Sequence, residues 1–171
     1  MKILPLSLVL GLVCAAQSTR IPALVSGEWK SIYMASSDRA KMSDNAPFKA
    51  FLRRIDFENA YNKITFKFFV VVNGQCIEKT SVARKIAENV YTSDYAGKVE
   101  FHILHASDHA LVGSLTNVDT NGKVTHITTL LGKGYYVEWN DIEKFKKATR
   151  EKGIPEDNIV NLLTVDHCPS R

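Results

Sequence analysis

Ile64-Thr65-Phe66-Lys67-Phe68-Phe69-Val70-Val71-Val72-Asn73-Gly74 is the stretch that decides the fold class. Ile64, Phe66, Phe68, Val70 and Val72 recur at period two, the spacing of one face of a β-strand. Aromatic and β-branched residues of this kind suit a pleated, half-buried surface. Asn73–Gly74 supplies the two positive φ angles of a type I′ turn, so the run predicts a strand folding back tightly on its successor.

The pattern extends outward from this hairpin. Val99, Phe101 and Ile103 alternate with Glu100 and His102, and Leu111, Gly113 and Leu115 alternate with Val112 and Ser114. Thr125, Ile127, Thr129 and Leu131 repeat it, with Asn121–Gly122 predicting a second tight hairpin. Glu58–Asn59, Asp94 to Gly97 and Ser107–Asp108 are softer turn signals. About eight strands on short connections predict an all-β chain, an eight-stranded antiparallel up-and-down barrel with an interior for one small ligand. A two-sheet sandwich shares the periodicity but needs long crossing connections, and none is evident between Arg54 and Gly132. Ile142, Phe145, Ala148 and Thr149 then form the apolar stripe of one C-terminal helix, which Gly153 and Pro155 stop. Ile159 to Val165 reads as a short final strand.

Met1–Lys2, the apolar run Ile3 to Val13 and the small residues Cys14, Ala15 and Ala16 have the three-part form of a secretory signal cleaved after Ala16. The expected organisation is therefore a signal peptide over 1–16 and a single domain over 17–171, secreted and extracellular. The apolar run is too short to span a bilayer, so no membrane insertion is expected. Cys14 leaves with the signal. The remaining pair, Cys76 and Cys168, is an even number in an oxidising compartment and predicts one disulfide, with no thiolate left for catalysis or metal.

The 171 residues are 45% hydrophobic and 23% charged, which excludes disorder, collagen-like repeats and a disulfide-dense miniprotein. With 22 basic against 18 acidic residues, the net charge of +4 is mild. The one basic cluster, Lys144, Lys146, Lys147, Arg150 and Lys152, is interrupted by Glu143 and Glu151, so a solvated helix face is expected and nucleic acid is not. His102, His105 and His109 fall on a strand and turn at a spacing that sends side chains to opposite faces, which argues against a metal site. No carboxylate pair, phosphate-cradling loop, nucleophile elbow or Asn-x-Ser/Thr sequon occurs.

Gly27–Glu28–Trp29, directly before the first strand, resembles the Gly-x-Trp motif of the lipocalins. The resemblance extends to the odorant-binding, aphrodisin-like branch through Asn45–Ala46–Pro47–Phe48 opening the second strand and Tyr95–Ala96–Gly97 closing the fifth. Leu130–Leu131–Gly132–Lys133–Gly134 ends the eighth, Gly153–Ile154–Pro155–Glu156 follows the helix, and Asp166–His167–Cys168–Pro169 ends the match. Two positions depart from the commoner pattern: Thr116–Asn117–Val118 replaces Thr-Asp-Tyr, and Lys133 replaces an Arg that covers the tryptophan. Lys133 can make a cation–π contact with Trp29.

The resemblance implies a calyx that takes small hydrophobic or volatile ligands, odorant- or pheromone-like, without a cofactor and without catalysis. Alternation and resemblance together point to an inward ligand-binding set. It comprises Phe48, Ala50 and Leu52 from the second strand, Phe66 and Phe68 from the third, and Val82 from the fourth. Tyr95, Phe101, Ile103, Gly113, Leu115, Thr129 and Leu131 complete it from the later strands. Trp29, Ile55 and Phe57 are assigned to the closed end. Tyr95 is the expected polar handle, Thr129 a second, and Gly113 is expected to leave room for ligand. Burying about ten methylene-sized groups is worth roughly 8 kcal/mol before association costs, so micromolar affinity is a sensible ceiling. The expected state is a monomer or weak homodimer. A secreted signal read by a receptor through its surface, with ligand incidental, is the alternative.

Overall fold

The computed structural model describes residues 24–170. The expected signal segment, residues 1–16, lies outside them. Ten strands form one curled antiparallel sheet in the order β1-β3-β4-β5-β6-β7-β8-β9-β2-β10. They are β1 (Gly27–Glu28), β2 (Lys30–Ser36), β3 (Phe51–Glu58), β4 (Lys63–Val72), β5 (Gln75–Ala87), β6 (Val90–Asp94), β7 (Lys98–Ala106), β8 (Ala110–Val118), β9 (Val124–Gly132) and β10 (Ile159–Asn161).

The count of ten against the expected eight has a physical cause. The first stave is broken at Trp29, so that β1 pairs with β3 and β2 pairs with β9. That split lets one stretch of chain close the sheet, with its two halves serving opposite ends. Between β2 and β3 the closure runs through a side chain: Ser31 Oγ donates to Ala50 O at 2.8 Å and accepts from Leu52 N at 3.1 Å. The tenth strand, β10, lies outside the barrel against β2. It is shorter than expected, because Leu162–Thr164 turns into a 3-10 helix that Asn161 caps through its side chain.

The β4–β5 hairpin has the predicted geometry, with Asn73 at φ 51°, Gly74 at φ 77° and Val72 opposite Gln75. The second predicted hairpin differs. Only Gly122 is left-handed there, and the Asp119 carboxylate accepts the backbone N–H groups of both Asn121 and Lys123. A side-chain cap has replaced the paired positive φ angles. Asn45–Phe48 also differs: it does not open β3 but belongs to the preceding connection, with Asn45 at φ 69° and Pro47 unable to donate to a ladder.

Helix α1 (Trp139–Glu151) packs Phe145 and Ala148 against Ile32, Ala35, Val112 and Leu130 on the outside of the barrel. Asp141 holds its first turn, accepting Glu138 N at 3.0 Å and lying 3.1 Å from His105 Nε2. Lys144, Lys147, Arg150 and Lys152 are exposed, as a solvated face requires. Cys76 and Cys168 form the predicted disulfide, with Cα atoms 5.6 Å apart. Beside it the Arg53 guanidinium makes two 2.7 Å bonds to Asp166 and a third, of 2.6 Å, to Pro169 O, so the tail is fastened to β3 as well as to the β4–β5 hairpin. Among the described residues no helix is long and apolar enough to cross a membrane.

Candidate functional site

Antiparallel partners directly opposite each other share a face. Phe66 lies opposite Ser81, Ser93 opposite Val99, Phe101 opposite Leu115, and Met34 opposite Thr129. All eight of these side chains point into the barrel, where they border an interior cavity of about 100 Å³. Aromatic rings build much of its wall. Phe66 meets Phe101 edge-on at 5.5 Å, and Tyr95 meets both Phe68 and Phe48 edge-on, at 5.2 and 5.5 Å.

Ten of the thirteen residues predicted to face inward line this cavity: Phe48, Ala50, Leu52, Phe66, Phe68, Tyr95, Phe101, Leu115, Thr129 and Leu131. Three do not, each for its own reason. Val82 is 37% exposed, because it stands opposite Thr65 on the outer face, while its neighbours Ser81 and Ala83 point inward. Ile103 is buried in the same apolar cluster as Trp29, Ile55 and Tyr91, but it borders a separate recess at the closed end. Gly113 does make space, yet the Phe101 ring fills it. A Cβ on Gly113 would lie 2.4 Å from Phe101 Cε2.

Ser31, Met34, Ser81, Ala83, Ser93 and Val99 line the cavity without having been predicted. Val99 was legible from its alternation with Phe101. Ser31 and Met34 share a face despite odd spacing, because a bulge between Ser31 and Tyr33 shifts the parity. No hydrophobicity signal marks the serines, and only the register with Phe66 and Val99 reveals them.

Two expectations about polar and closed-end groups meet different outcomes. The Tyr95 hydroxyl is already spent, donating to Pro47 O at 2.5 Å. Burial pushes its pKa up to about 12. Its bond ties the β6–β7 turn to the segment that crosses the open end. Trp29 does occupy the closed end, fully buried, with Phe57 edge-on at 6.5 Å and Lys133 Nζ 5.8 Å from its ring, the cation–π contact anticipated from Lys133.

Residues 37–50 form a cover over the open end. Its Met42 and Phe48 are buried, and Asn45 Oδ1 accepts from Asn73 N at 2.6 Å. Two ion pairs join this cover to the β8–β9 connection, Lys41–Asp119 at 3.1 Å and Lys123–Asp38 at 2.6 Å. The Lys123 ammonium holds the Asp38 carboxyl below its ordinary range. Asp119 is lowered by the backbone N–H of Lys123 and by Lys41. Charge is thus confined to the rim: no charged side chain lines the cavity among the described residues. They also contain no cluster of three or more metal-ligating side chains. A second, larger recess of about 320 Å³ at the closed end is of mixed character, bordered by Leu24, Tyr91 and Ile103 as well as by Lys85, Glu88 and Asn89. What the interior can do chemically is exclude water from a compact apolar molecule and offer it a few hydroxyls.

Comparison with known proteins agrees with this geometry. The model of the lipocalin / cytosolic fatty-acid binding protein family matches residues 26–166. The chain is 32% identical to a female-specific lacrimal gland protein of Mesocricetus auratus, over 98% of each chain. A dog lipocalin allergen superposes with a TM-score of 0.83 at 40% identity, covering 87% of this chain and all of that one. Bovine odorant-binding protein in complex with undecanal superposes with a TM-score of 0.64 at 33% identity, covering 88% and 97%.

Proposed function

This chain belongs to the lipocalin / cytosolic fatty-acid binding protein family, and from that premise we propose that it is a secreted carrier of small hydrophobic or volatile ligands, odorant- or pheromone-like, and not an enzyme. The observation that carries the proposal is an apolar interior walled by Phe66, Phe68, Tyr95 and Phe101, with charge only at its rim. Such a space lowers the free energy of an apolar guest by the area it removes from water, and it needs no cofactor to do so. The undecanal-bound bovine relative supports the ligand class. The disulfide supports an oxidising destination, and a lacrimal gland relative agrees with secretion.

The test is uptake of N-phenyl-1-naphthylamine, followed by its fluorescence. One-to-one saturable binding, reversed by undecanal, is the expected result. Absence of saturable uptake would end the carrier reading. Secretion is checked separately by sequencing the N-terminus of protein released from cultured cells, which should begin at Gln17. Sedimentation of the same material should report a monomer or a weak dimer.

A second reading, in which a receptor reads the protein surface and ligand is incidental, has one observation in its favour. Tyr135, Tyr136 and Trp139 stand 73%, 67% and 71% exposed within five residues. Clustered exposed aromatics are typical of contact surfaces. Activity of ligand-stripped protein on sensory cells would favour this reading.

A further inference from the structure

Five of the cavity-lining residues carry hydroxyls: Ser31, Ser81, Ser93, Tyr95 and Thr129. Two of these are committed to the fold by short bonds, and a third is held only by a long one. Ser31 bridges Ala50 O and Leu52 N, and Tyr95 donates to Pro47 O. Thr129 Oγ1 is directed at Tyr33 O, at 3.5 Å. Ser81 and Ser93 differ. Their oxygens lie 3.3 Å apart and they bond only to each other. One hydroxyl donates to the other, so the pair keeps one proton without an acceptor among the described residues.

The placement of the pair follows from strand lengths. The β5–β6 ladder reaches only as far as Arg84 opposite Thr92, while β5 continues back to Gln75. Ser81 and Ser93 therefore meet just beyond the last backbone pair, at the open-end side of this seam. There their side chains meet diagonally across the seam, on the inner face. Phe66 and Val99, their partners across the neighbouring ladders, set apolar walls beside them.

We infer that the Ser81–Ser93 pair reads one hydrogen-bond-accepting oxygen on a neutral, compact ligand, so that the chain takes carbonyl-bearing apolar molecules and rejects carboxylates. The inference rests on the carrier reading. A single neutral donor suffices for a ketone or aldehyde oxygen. It does not compensate the burial of an anion where no cation lines the wall. The cavity, about 100 Å³, is smaller than the roughly 150 Å³ at which apolar cavities take up benzene, so any guest must displace part of the aromatic wall and a compact one displaces least.

Acetophenone, α-methylstyrene and benzoate have equal heavy-atom counts and differ in the group offered to the serines. Each is titrated as a competitor of N-phenyl-1-naphthylamine against the wild-type chain, Ser81→Ala, Ser93→Ala and the double variant. In the double variant acetophenone should bind about fivefold more weakly, the size of one neutral hydrogen bond, while α-methylstyrene stays within about twofold. Each single variant retains a hydroxyl and should hold acetophenone better than the double variant does. Benzoate should need at least about a hundredfold higher concentration than acetophenone in wild type, given the cost of burying an unpaired charge. The carbonyl stretch of bound acetophenone should fall in wild type and return toward its hydrocarbon-solvent position in the double variant. Unchanged α-methylstyrene affinity reports an intact cavity in each variant. Equal losses for ketone and alkene, an unshifted carbonyl in wild type, or benzoate competing as well as acetophenone would overturn the serine assignment while leaving the carrier reading in place. No uptake of the fluorescent probe by the wild-type chain would overturn both.

Discussion

The Tyr95 hydroxyl donates to the carbonyl oxygen of Pro47, joining the β6–β7 turn to the segment that covers the open end. The same ring packs edge-on against Phe48 within that cover and Phe68 on the wall. Removing the hydroxyl leaves a half-buried carbonyl without its donor. Tyr95→Phe should therefore destabilise the chain by about 1 kcal/mol in urea titration. It should also speed release of a bound fluorescent probe in stopped-flow displacement, because one of the ties on the cover is lost.

Alkaline pH tests the same bond. In the folded chain the Tyr95 phenol is raised by burial to about 12, above its ordinary value of 10.0. A folded-state pKa above the unfolded one means that this contribution to stability is complete below pH 10 and is lost as pH rises toward 12. Wild type should lose more stability than Tyr95→Phe between these values, measured as the urea midpoint. Equal losses would show that Tyr95 is not the group responsible.

Val82 and Ala83 are adjacent but belong to opposite faces. Ala83 is 2% exposed and borders the cavity, whereas Val82 is 37% exposed. Ala83→Leu should fill part of the interior and weaken probe binding about tenfold or more, with an overpacking cost of roughly 1–3 kcal/mol. Val82→Ser should change probe affinity by less than about twofold and stability by less than about 0.5 kcal/mol. Comparable effects of the two substitutions on probe affinity would refute the register.

Gly113 is required by the Phe101 ring. Gly113→Ala places a Cβ within 2.4 Å of Phe101 Cε2 and 2.8 Å of Cζ. The ring must then swing toward the cavity, reducing its volume. Probe affinity should fall about tenfold and stability by about 1–3 kcal/mol. Restoration of both by the second change Phe101→Leu would identify this contact as the cause.

Closing a bridge between residues 92 positions apart restricts the unfolded chain strongly. Replacing Cys76 and Cys168 by Ser should cost roughly 4–5 kcal/mol on the chain-entropy model. The two bonds from Arg53 to Asp166 remain in that variant. The tail should thus stay docked in the native state, visible as retained amide protection around Cys168, even though the unfolding midpoint drops.

Local patterning determined a great deal about this protein. Alternation in Ile64–Val72 and the Asn73–Gly74 turn specified a hairpin that the structure contains residue for residue. The helix stripe, the disulfide partners and the closed-end position of Trp29 were legible for the same reason: each depends on side-chain periodicity, residue count or a short motif. Other features were decided only by the tertiary structure. The break at Trp29 and the bulges in β2 and β3 shift the parity of everything beyond them, and a bulge leaves no clear mark in composition. The face taken by Val82 depends on its register with Thr65 on another strand. Hydroxyl groups show the limit most plainly. Ser31, Ser81, Ser93, Tyr95 and Thr129 are equivalent as donors and acceptors on paper, and only the contacts of the folded chain distinguish those already satisfied from those left to meet a ligand.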